Sequence, residues 1–294
     1  SGFYIAMFLI LAALILRPVG FKYRSKRESA AWRSAWDWAL FVGGFVPALV
    51  FGVAVGNVLQ GVPFRLTEDL MPVYEGGFFG LLNPFALLTG LVSLAMLVMH
   101  GGAWLALKTE GPVQARARTY GAYAALATAG LFVLAGLWLA VGIDAYRFTG
   151  EVAADGPSNP LLSEVVREGS WLAAYLHRPW IVIAPLMGIG GALLAYVQIG
   201  KGHEVWTLLA SKLSIFGIIS TVGLTMFPFI LPSSIDPSSS LTVWDSSSSH
   251  LTLFVMLASA VIFMPIILAY TAWVYKVLWG KVTEKDLAEG SQSY

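Results

Sequence analysis

Residues 36–60 read WDWALFVGGFVPALVFGVAVGNVLQ, and this stretch decides the class of fold. Its only ionisable side chain, Asp37, is the second residue, and almost all the others are apolar or small. A helix needs about 20 such residues to cross a bilayer. Gly52 and Gly56 are four positions apart, on one helix face, where a second membrane helix can approach closely. The stretch therefore predicts a transmembrane helix that packs against a neighbour.

The composition extends this prediction to the whole chain. Of 294 residues, 57% are hydrophobic and only 12% are charged. Soluble domains carry roughly 25% charged residues, so this chain has too little polar surface to coat a globule. The net charge is +1, and the basic residues form no basic domain. We predict no nucleic-acid partner. The absence of cysteine excludes disulfides, thiolate ligands and thiol nucleophiles.

Apolar stretches of membrane-spanning length recur along the sequence. Their lengths are helical and exceed the ~10 residues of a barrel strand. We predict an all-α integral membrane protein, a single helix-bundle domain over 1–294 with about seven transmembrane spans. The predicted spans lie near 2–16, 36–60, 80–107, 122–143, 180–199, 211–231 and 251–275.

The Lys and Arg residues predict how the bundle lies in the membrane. All but four of the eighteen fall in 17–35, 108–121, 200–212 and 276–294. Basic loops stay on the cytoplasmic side, so these segments and the C-terminus are predicted to be cytoplasmic. The outer side then holds 61–79, 144–179 and 232–250. Within 144–179 we predict a short surface helix from Leu161 to about Glu168.

Two candidate residues lie at the predicted cytoplasmic side. Pro18 is expected to end the first span, because proline lacks an N–H and restricts the residue before it. Arg17 beside it either anchors the helix at anionic headgroups or holds an anionic group or a partner carboxylate. Asp37 either stabilises the first turn of its helix through the helix dipole, or serves proton entry or a partner contact.

Two further polar residues belong to the third span. Asn83 precedes Pro84, and asparagine at the N-cap with proline at the first helical position is a strong start signal. His100 is either a hydrogen-bonded packing residue or a haem or metal ligand, and no histidine lies four residues from it. We predict no catalytic, cofactor-binding or metal-ligating residue in this chain.

The serine-rich stretch LPSSIDPSSSLTVWDSSSSHLTL, residues 231–253, raises the question of a serine enzyme. The chain has no GxSxG elbow, and serines next to a histidine in sequence do not make a triad. We predict instead an ordered turn into the last span, with SLTV extended. Asp245 or an adjacent serine would cap the last helix, and Trp244 would anchor it at the membrane interface.

With these residues assembled, the chain resembles subunit II of the cytochrome bd-type quinol oxidases, including their cyanide-insensitive branch. The resemblance covers essentially the whole chain and rests on long motifs in a fixed order. They are SGFYIAMFLILAALILRPVGFKYRSK (1–26), WDWALFVGGFVPALVFGVAVGNVLQGVPF (36–64), GLLNPFALLTGLVS (80–93), SNPLLSEVVREGSWL (158–172), MFPFILPSS (226–234), SLTVWDSSSSHLTL (240–253) and PIILAYTAWVY (265–275).

The resemblance implies a multi-pass protein of the bacterial inner membrane, in a complex that couples quinol oxidation to reduction of oxygen to water. Haem b and haem d would be liganded by the partner, subunit I, and none by this chain. Family members have nine spans, so the chain would be N-terminally truncated by two, which largely hold the proton-path carboxylates. Quinol would be the substrate of the complex, and membrane lipids would surround it.

The resemblance carries no catalytic residue over to this chain. Five positions remain as candidate structural or subunit-interface residues: Arg17, Asp37, Asn83, Trp244 and Asp245. The alternative function is a secondary membrane transporter, which would need midplane polar or charged groups and discontinuous helices. The sequence has no charged residue in mid-span and shows no inverted repeat.

Overall fold

The structure, a computed structural model, describes residues 2–150 and 159–283. Seven helices in these ranges are long and apolar enough to cross a membrane, which confirms the predicted number of spans and the all-α class. An eighth helix, α5, has only five residues and is too short to cross a membrane. The helices are α1 Tyr4–Tyr23, α2 Ala30–Gln60, α3 Pro84–Lys108, α4 Gly111–Gly142, α5 Ala173–His177, α6 Ile183–Gly200, α7 Glu204–Met226 and α8 His250–Val277.

Six of the long helices pack into the bundle. Helix α1 packs on α2, α2 on α3, α3 on α4 and α7, and α6 on α4 and α7. Small side chains fill these contacts: Ala86, Ala103 and Ala192 are fully buried. Without a hydrophobic driving force between helices in lipid, close approach of backbones supplies the packing energy.

The glycines of the opening stretch lie at one of these contacts. A Cβ on Gly52 would collide with the backbone of Thr89 and would lie 2.7 Å from the Cα of Gly90. A Cβ on Gly56 would lie 2.7 Å from the Cα of Ala86. The predicted small-residue face is therefore the α2–α3 interface.

The two ends of the bundle differ in structure. At the basic end, short turns at 24–29, 109–110 and 201–203 join the helices, and 278–283 follows α8. The opposite, serine-rich end holds 61–83, 143–150, 159–182 and 227–249, in which three antiparallel strand pairs form. They are β1 Phe64–Leu66 with β2 Pro72–Tyr74, β3 Asp144–Phe148 with β4 Val165–Ser170, and β5 Phe229–Leu231 with β6 Leu241–Thr242.

The predicted surface helix from Leu161 to Glu168 is wrong. A single 3₁₀ turn covers Pro160–Leu162, and β4 follows from Val165. Strand β4 pairs with β3 in the register Phe148↔Val165 and Tyr146↔Arg167. The cause is long-range pairing, which a local helical pattern does not reveal.

Several predicted boundaries also shift. Pro18 does not end the first span, because α1 continues through it to Tyr23. Helices α4 and α7 begin at Gly111 and Glu204, earlier than the predicted spans. Near the start of α4, Gln114 donates to the Ala106 carbonyl and Arg118 pairs with Glu204, the first residue of α7, so the beginnings of both helices are polar. Hydropathy marks only the apolar part of a helix, whereas the helix itself extends beyond it.

Candidate functional site

Asp245 organises the serine-rich end. Its Oδ1 accepts hydrogen bonds from the Thr242 backbone N–H at 2.9 Å, the Thr242 hydroxyl at 2.7 Å and the Ser246 hydroxyl at 3.1 Å. Its Oδ2 accepts from the Ser163 hydroxyl at 3.4 Å. Thr242 is fully buried and Asp245 is 9% exposed. The carboxyl group therefore joins the turn after β6 to the segment before β4.

Asp245 does not cap α8, so this part of the prediction is wrong. Ser249 is the N-cap, and its hydroxyl accepts from the Thr252 backbone N–H at 3.4 Å. A serine therefore caps α8, as the prediction allowed, but Ser249 lies four residues after Asp245 and is not its immediate neighbour. Asp245 lies too far before His250, the first residue of α8, to accept from the N–H groups of the first turn. Its Oδ1 instead accepts from the backbone N–H and the hydroxyl of Thr242.

Three buried serines order the same loop, and two of them, Ser233 and Ser239, tie it to β1. The Ser233 hydroxyl donates to the Phe64 carbonyl, and its backbone N–H donates to the Ser240 hydroxyl at 3.0 Å. The Ser239 hydroxyl donates to Asp236 at 2.5 Å and accepts from the Leu66 N–H at 2.9 Å. All three serines are fully buried. They satisfy backbone groups that the short strands leave unpaired.

An aromatic cluster lies beneath these turns. Tyr146 and Trp171 donate to the carbonyls of Gln60 and Leu59, at 3.2 and 3.1 Å. Both carbonyls belong to the last turn of α2, where no intrahelical partner remains. Burial is the main cause that raises the pKa of Tyr146 to about 12. The phenol therefore stays neutral and keeps its donor role at ordinary pH.

Trp244 is half-buried at the edge of this cluster. Its ring centroid lies 5.9 Å from that of Phe148 and 5.9 Å from that of Phe227. Tilted and edge contacts of this kind suit the ring quadrupoles. The contacts make Trp244 a packing residue of the turn, and the interface-anchor role remains a prediction.

A cavity of about 450 Å³ opens beside Asp245. Its lining is mostly apolar, with Asp245 and Ser246 among its few polar groups. Tyr74 also lines it, and burial raises the pKa of this phenol. Neither a histidine nor a methionine lines the cavity.

A buried amide pair joins α2 to the start of α3. Asn57 Nδ2 donates to the Val53 and Leu81 carbonyls at 2.8 and 2.7 Å. Asn83 Nδ2 donates to Asn57 Oδ1 at 3.1 Å, while Asn83 Oδ1 accepts from the Ala86 N–H at 2.9 Å. The predicted N-cap role of Asn83 is confirmed. Its link to Asn57 was not predicted, although a lone amide inside the apolar stretch 36–60 was a signal for it.

At the basic end, Asp37 forms a two-contact ion pair with Arg24. Arg24 Nε lies 2.5 Å from Oδ1 and Nη2 lies 3.1 Å from Oδ2. The prediction that Asp37 lies in the first helical turn is wrong, because α2 begins at Ala30. Asp37 also borders an open groove with Ser34, Trp38 and Phe41.

Arg17 lies inside α1, which continues for six more residues to Tyr23. A Cβ on Gly43 would meet Arg17 Cγ at 2.7 Å, so the aliphatic stem of Arg17 lies against α2. Long basic side chains commonly pack their stem in this way and leave the charged head at the membrane surface. The structure thus brings neither Arg17 nor Asp37 near Trp244 and Asp245, which lie at the opposite end of the bundle.

His100 packs between α3 and α7, where Nδ1 lies 2.9 Å from the Ser211 hydroxyl. Ser211 donates its own proton to the Leu208 carbonyl at 2.8 Å, so the imidazole Nδ1–H is the donor in this pair. The part of the chain that the structure describes has no group of three or more His, Asp or Glu residues able to hold a metal ion. Neither of the two cavities described above offers a histidine to a haem.

The comparison that decides the family is a match over nearly the whole chain. The family model of cytochrome bd terminal oxidase subunit II matches residues 1–278. The chain belongs to this family. It is therefore a subunit of a terminal oxidase, an oxidoreductase complex, and a multi-pass protein of the inner membrane.

Relatives of this oxidase subunit support the assignment. The chain is 47% identical over its full 294 residues to cytochrome bd-I ubiquinol oxidase subunit 2 of Escherichia coli K12, and spans 78% of that protein. It is 48% identical to a probable cytochrome oxidase subunit 2 of Haemophilus influenzae, also over 100% of this chain and 78% of the relative.

The fold agrees with a solved structure. The bd oxidase from Geobacillus thermodenitrificans contains a chain that matches with a TM-score of 0.62 at 12% identity, over 95% of this chain and 74% of that one. At this identity the likeness concerns the fold alone. None of the comparisons favours a secondary transporter.

Proposed function

We propose that this chain is subunit II of a quinol-oxidising cytochrome bd oxidase, which packs beside subunit I and ligates no haem itself. The complex would oxidise quinol and reduce oxygen to water. The relatives from E. coli, named ubiquinol oxidase subunits, support a quinol as the substrate. Haem b and haem d would be liganded by subunit I.

The environment of His100 is the observation that supports ligation of the haems by subunit I and not by this chain. His100 lies in the interior of a span, and its Nδ1 contacts the Ser211 hydroxyl between α3 and α7. This contact leaves Nε2 available, so a haem role depends on space: an axial ligand must face a cavity wide enough for the macrocycle. Ser211 beside it is fully buried, and neither of the two cavities described above is lined by His100.

We assign structural roles to the five candidate residues. Asn83, Trp244 and Asp245 would hold the serine-rich end in one arrangement through the contacts described above. Arg17 and Asp37 would hold the α1–α2 hairpin at the basic end, through the stem contact at Gly43 and the pair with Arg24. A subunit-interface role for any of them would add to these contacts.

The test uses the complex purified through an affinity tag on this chain. We expect co-purified haem b and haem d spectra together with quinol-dependent oxygen consumption. The matched variant is His100→Gln, since glutamine can also donate to Ser211, and we expect its haem content to equal that of the wild type. A colourless preparation contradicts the function, and loss of one haem in His100→Gln contradicts the assignment of all haems to subunit I.

We also propose that the basic end faces the cytoplasm. The concentration of Lys and Arg there supports this orientation. The chain has no cysteine, so single cysteines can report accessibility. We expect Ser248→Cys to react with a membrane-impermeant thiol reagent in intact spheroplasts, and Lys281→Cys to react only after permeabilisation. The reverse pattern contradicts the orientation.

A further inference from the structure

Helix α8 is attached to the rest of the subunit differently from the other spans. Over His250–Val277 it buries no residue, whereas α1 to α4, α6 and α7 each bury at least three. Its attachments among the described residues are at its two ends. At the serine-rich end the chain enters α8 from the turn that Asp245 holds, through the Ser249 cap.

At the basic end, the attachment centres on Lys108, the last residue of α3. Lys108 Nζ donates to the Leu278 carbonyl at 2.9 Å and to the Gly280 carbonyl at 3.2 Å. The same ammonium lies 5.7 Å from the ring centroid of Trp104 and 5.5 Å from that of Trp279. We call this group of residues the Lys108 clasp.

The electrostatics of two helix ends explain the clasp. Helices α3 and α8 both run from the serine-rich end to the basic end, so the negative ends of their dipoles meet here. The last carbonyls of each helix lack intrahelical partners. A cation at a helix C-terminus is stabilising, and one ammonium at this position serves both helices. The two indole faces add cation–π attraction to the same charge.

Backbone contacts complete the clasp. The Val282 N–H donates to the Lys108 carbonyl at 2.8 Å, and Thr109 forms a parallel bridge with Val282. Gly280 has φ +124, a conformation that L side chains rarely adopt, and this turns the chain back over α3. Trp104 also contacts Tyr275 of α8, with ring centroids 5.8 Å apart.

We propose that Lys108 is the positioning residue of α8. It fixes the basic end of this helix against α3, so that loss of the ammonium lets α8 pivot about its serine-rich end. The effect on the oxidase rests on the proposed function: in a complex with subunit I, a displaced α8 weakens the hold of this subunit on its haem-bearing partner.

Distances between spin labels in the purified complex test the proposal. One pair joins Val277→Cys on α8 to Val113→Cys on α4, and both native side chains are exposed. A second pair, Leu251→Cys with Leu176→Cys, reports the serine-rich end. The complex without introduced cysteines gives the background from its other subunits.

Three variants distinguish loss of the Lys108 clasp from a general destabilisation of the subunit. In Lys108→Met we expect the distance distribution of the Val277–Val113 pair to broaden and move to longer distances, with the second pair unchanged. Lys108→Arg should restore the wild-type distribution, because a guanidinium also donates to two carbonyls. Lys212→Met removes a cation from an exposed position on α7 and should leave both distributions unchanged.

A wild-type distribution in Lys108→Met overturns the proposal, and so does equal broadening in Lys212→Met. Haem retention during detergent washing is the second readout, and we expect it to fall in Lys108→Met and not in Lys108→Arg. If the wild-type complex contains no haem, the proposed function fails, while the distance measurement still decides whether Lys108 positions α8.

Discussion

Replacing Asp245 by alanine removes the acceptor of a fully buried backbone N–H, that of Thr242. The Thr242 hydroxyl loses its partner too, but a hydroxyl can rotate toward another acceptor, whereas the N–H is fixed. A buried donor left unsatisfied costs about 1–3 kcal/mol, and hydrogen bonds to a charged group lie at the upper end. With the contacts to Ser246 and Ser163 added, we expect Asp245→Ala to destabilise the native state by about 3 kcal/mol.

The assay is the rate of thermal inactivation of the purified oxidase, because large membrane complexes unfold irreversibly and their stability is then a rate. If the Asp245 contacts are lost before the transition state of unfolding, 3 kcal/mol corresponds to inactivation about 100-fold faster. Asp245→Asn keeps an acceptor oxygen for Thr242 and should cost only about 1 kcal/mol.

The matched control is Ser246→Ala, which removes one contact to the same carboxyl group from an exposed side chain. We expect its inactivation rate to lie close to that of the wild type. Equal rates for Asp245→Ala and Ser246→Ala would refute the reasoning, since they would mean that the buried Thr242 donors do not depend on Asp245.

Three further predictions concern other parts of the bundle. Asn57→Leu leaves the Leu81 carbonyl and the Asn83 amide without their partner and should cost about 2 kcal/mol, read as faster thermal inactivation. Gly56→Leu should prevent close packing of α2 on α3 and lower the yield of assembled complex, whereas Gly44→Ala, with open space at the Cβ, should not. Since the pKa of Tyr146 rises from 10.0 to about 12 on folding, its contribution is complete below pH 10 and is lost as pH rises toward 12. Tyr146→Phe should therefore lose less thermal stability than the wild type as the pH is raised from 10 to 12.

The sequence predicted the spans because the thickness of the bilayer requires about 20 mostly apolar residues in each membrane helix. Such a stretch can be recognised in each segment separately. It also predicted the Asn83 cap and a close helix contact at Gly52 and Gly56, since both are properties of a single segment, but it did not predict that α3 is the partner helix. Helix starts were less accurate. Arg118 made the start of α4 read as a loop, although its partner Glu204 on α7 allows the helix to continue into the polar region.

The serine-rich end could not be predicted in detail, because its contacts join segments far apart in sequence. Ser233 bonds to Phe64, which lies 169 residues earlier in the sequence, and Ser239 bonds to Leu66, which lies 173 residues earlier. Similarly, the role of Asp245 depends on where β6 places Thr242. A capping prediction considers only the helix that follows, and it therefore named Asp245 as a candidate cap of α8.

The abundance of serine at this end has a physical reason that composition alone does not reveal. Irregular backbone that is buried away from water must find partners for its N–H and C=O groups within the protein. Strands of two or three residues cannot do this by themselves, so side chains must supply the remaining donors and acceptors. Serine does so with little volume, which lets Ser233, Ser239 and Ser240 be fully buried between backbone segments. A larger polar side chain at these positions would separate the β1 and β5–β6 segments that the hydroxyls hold together.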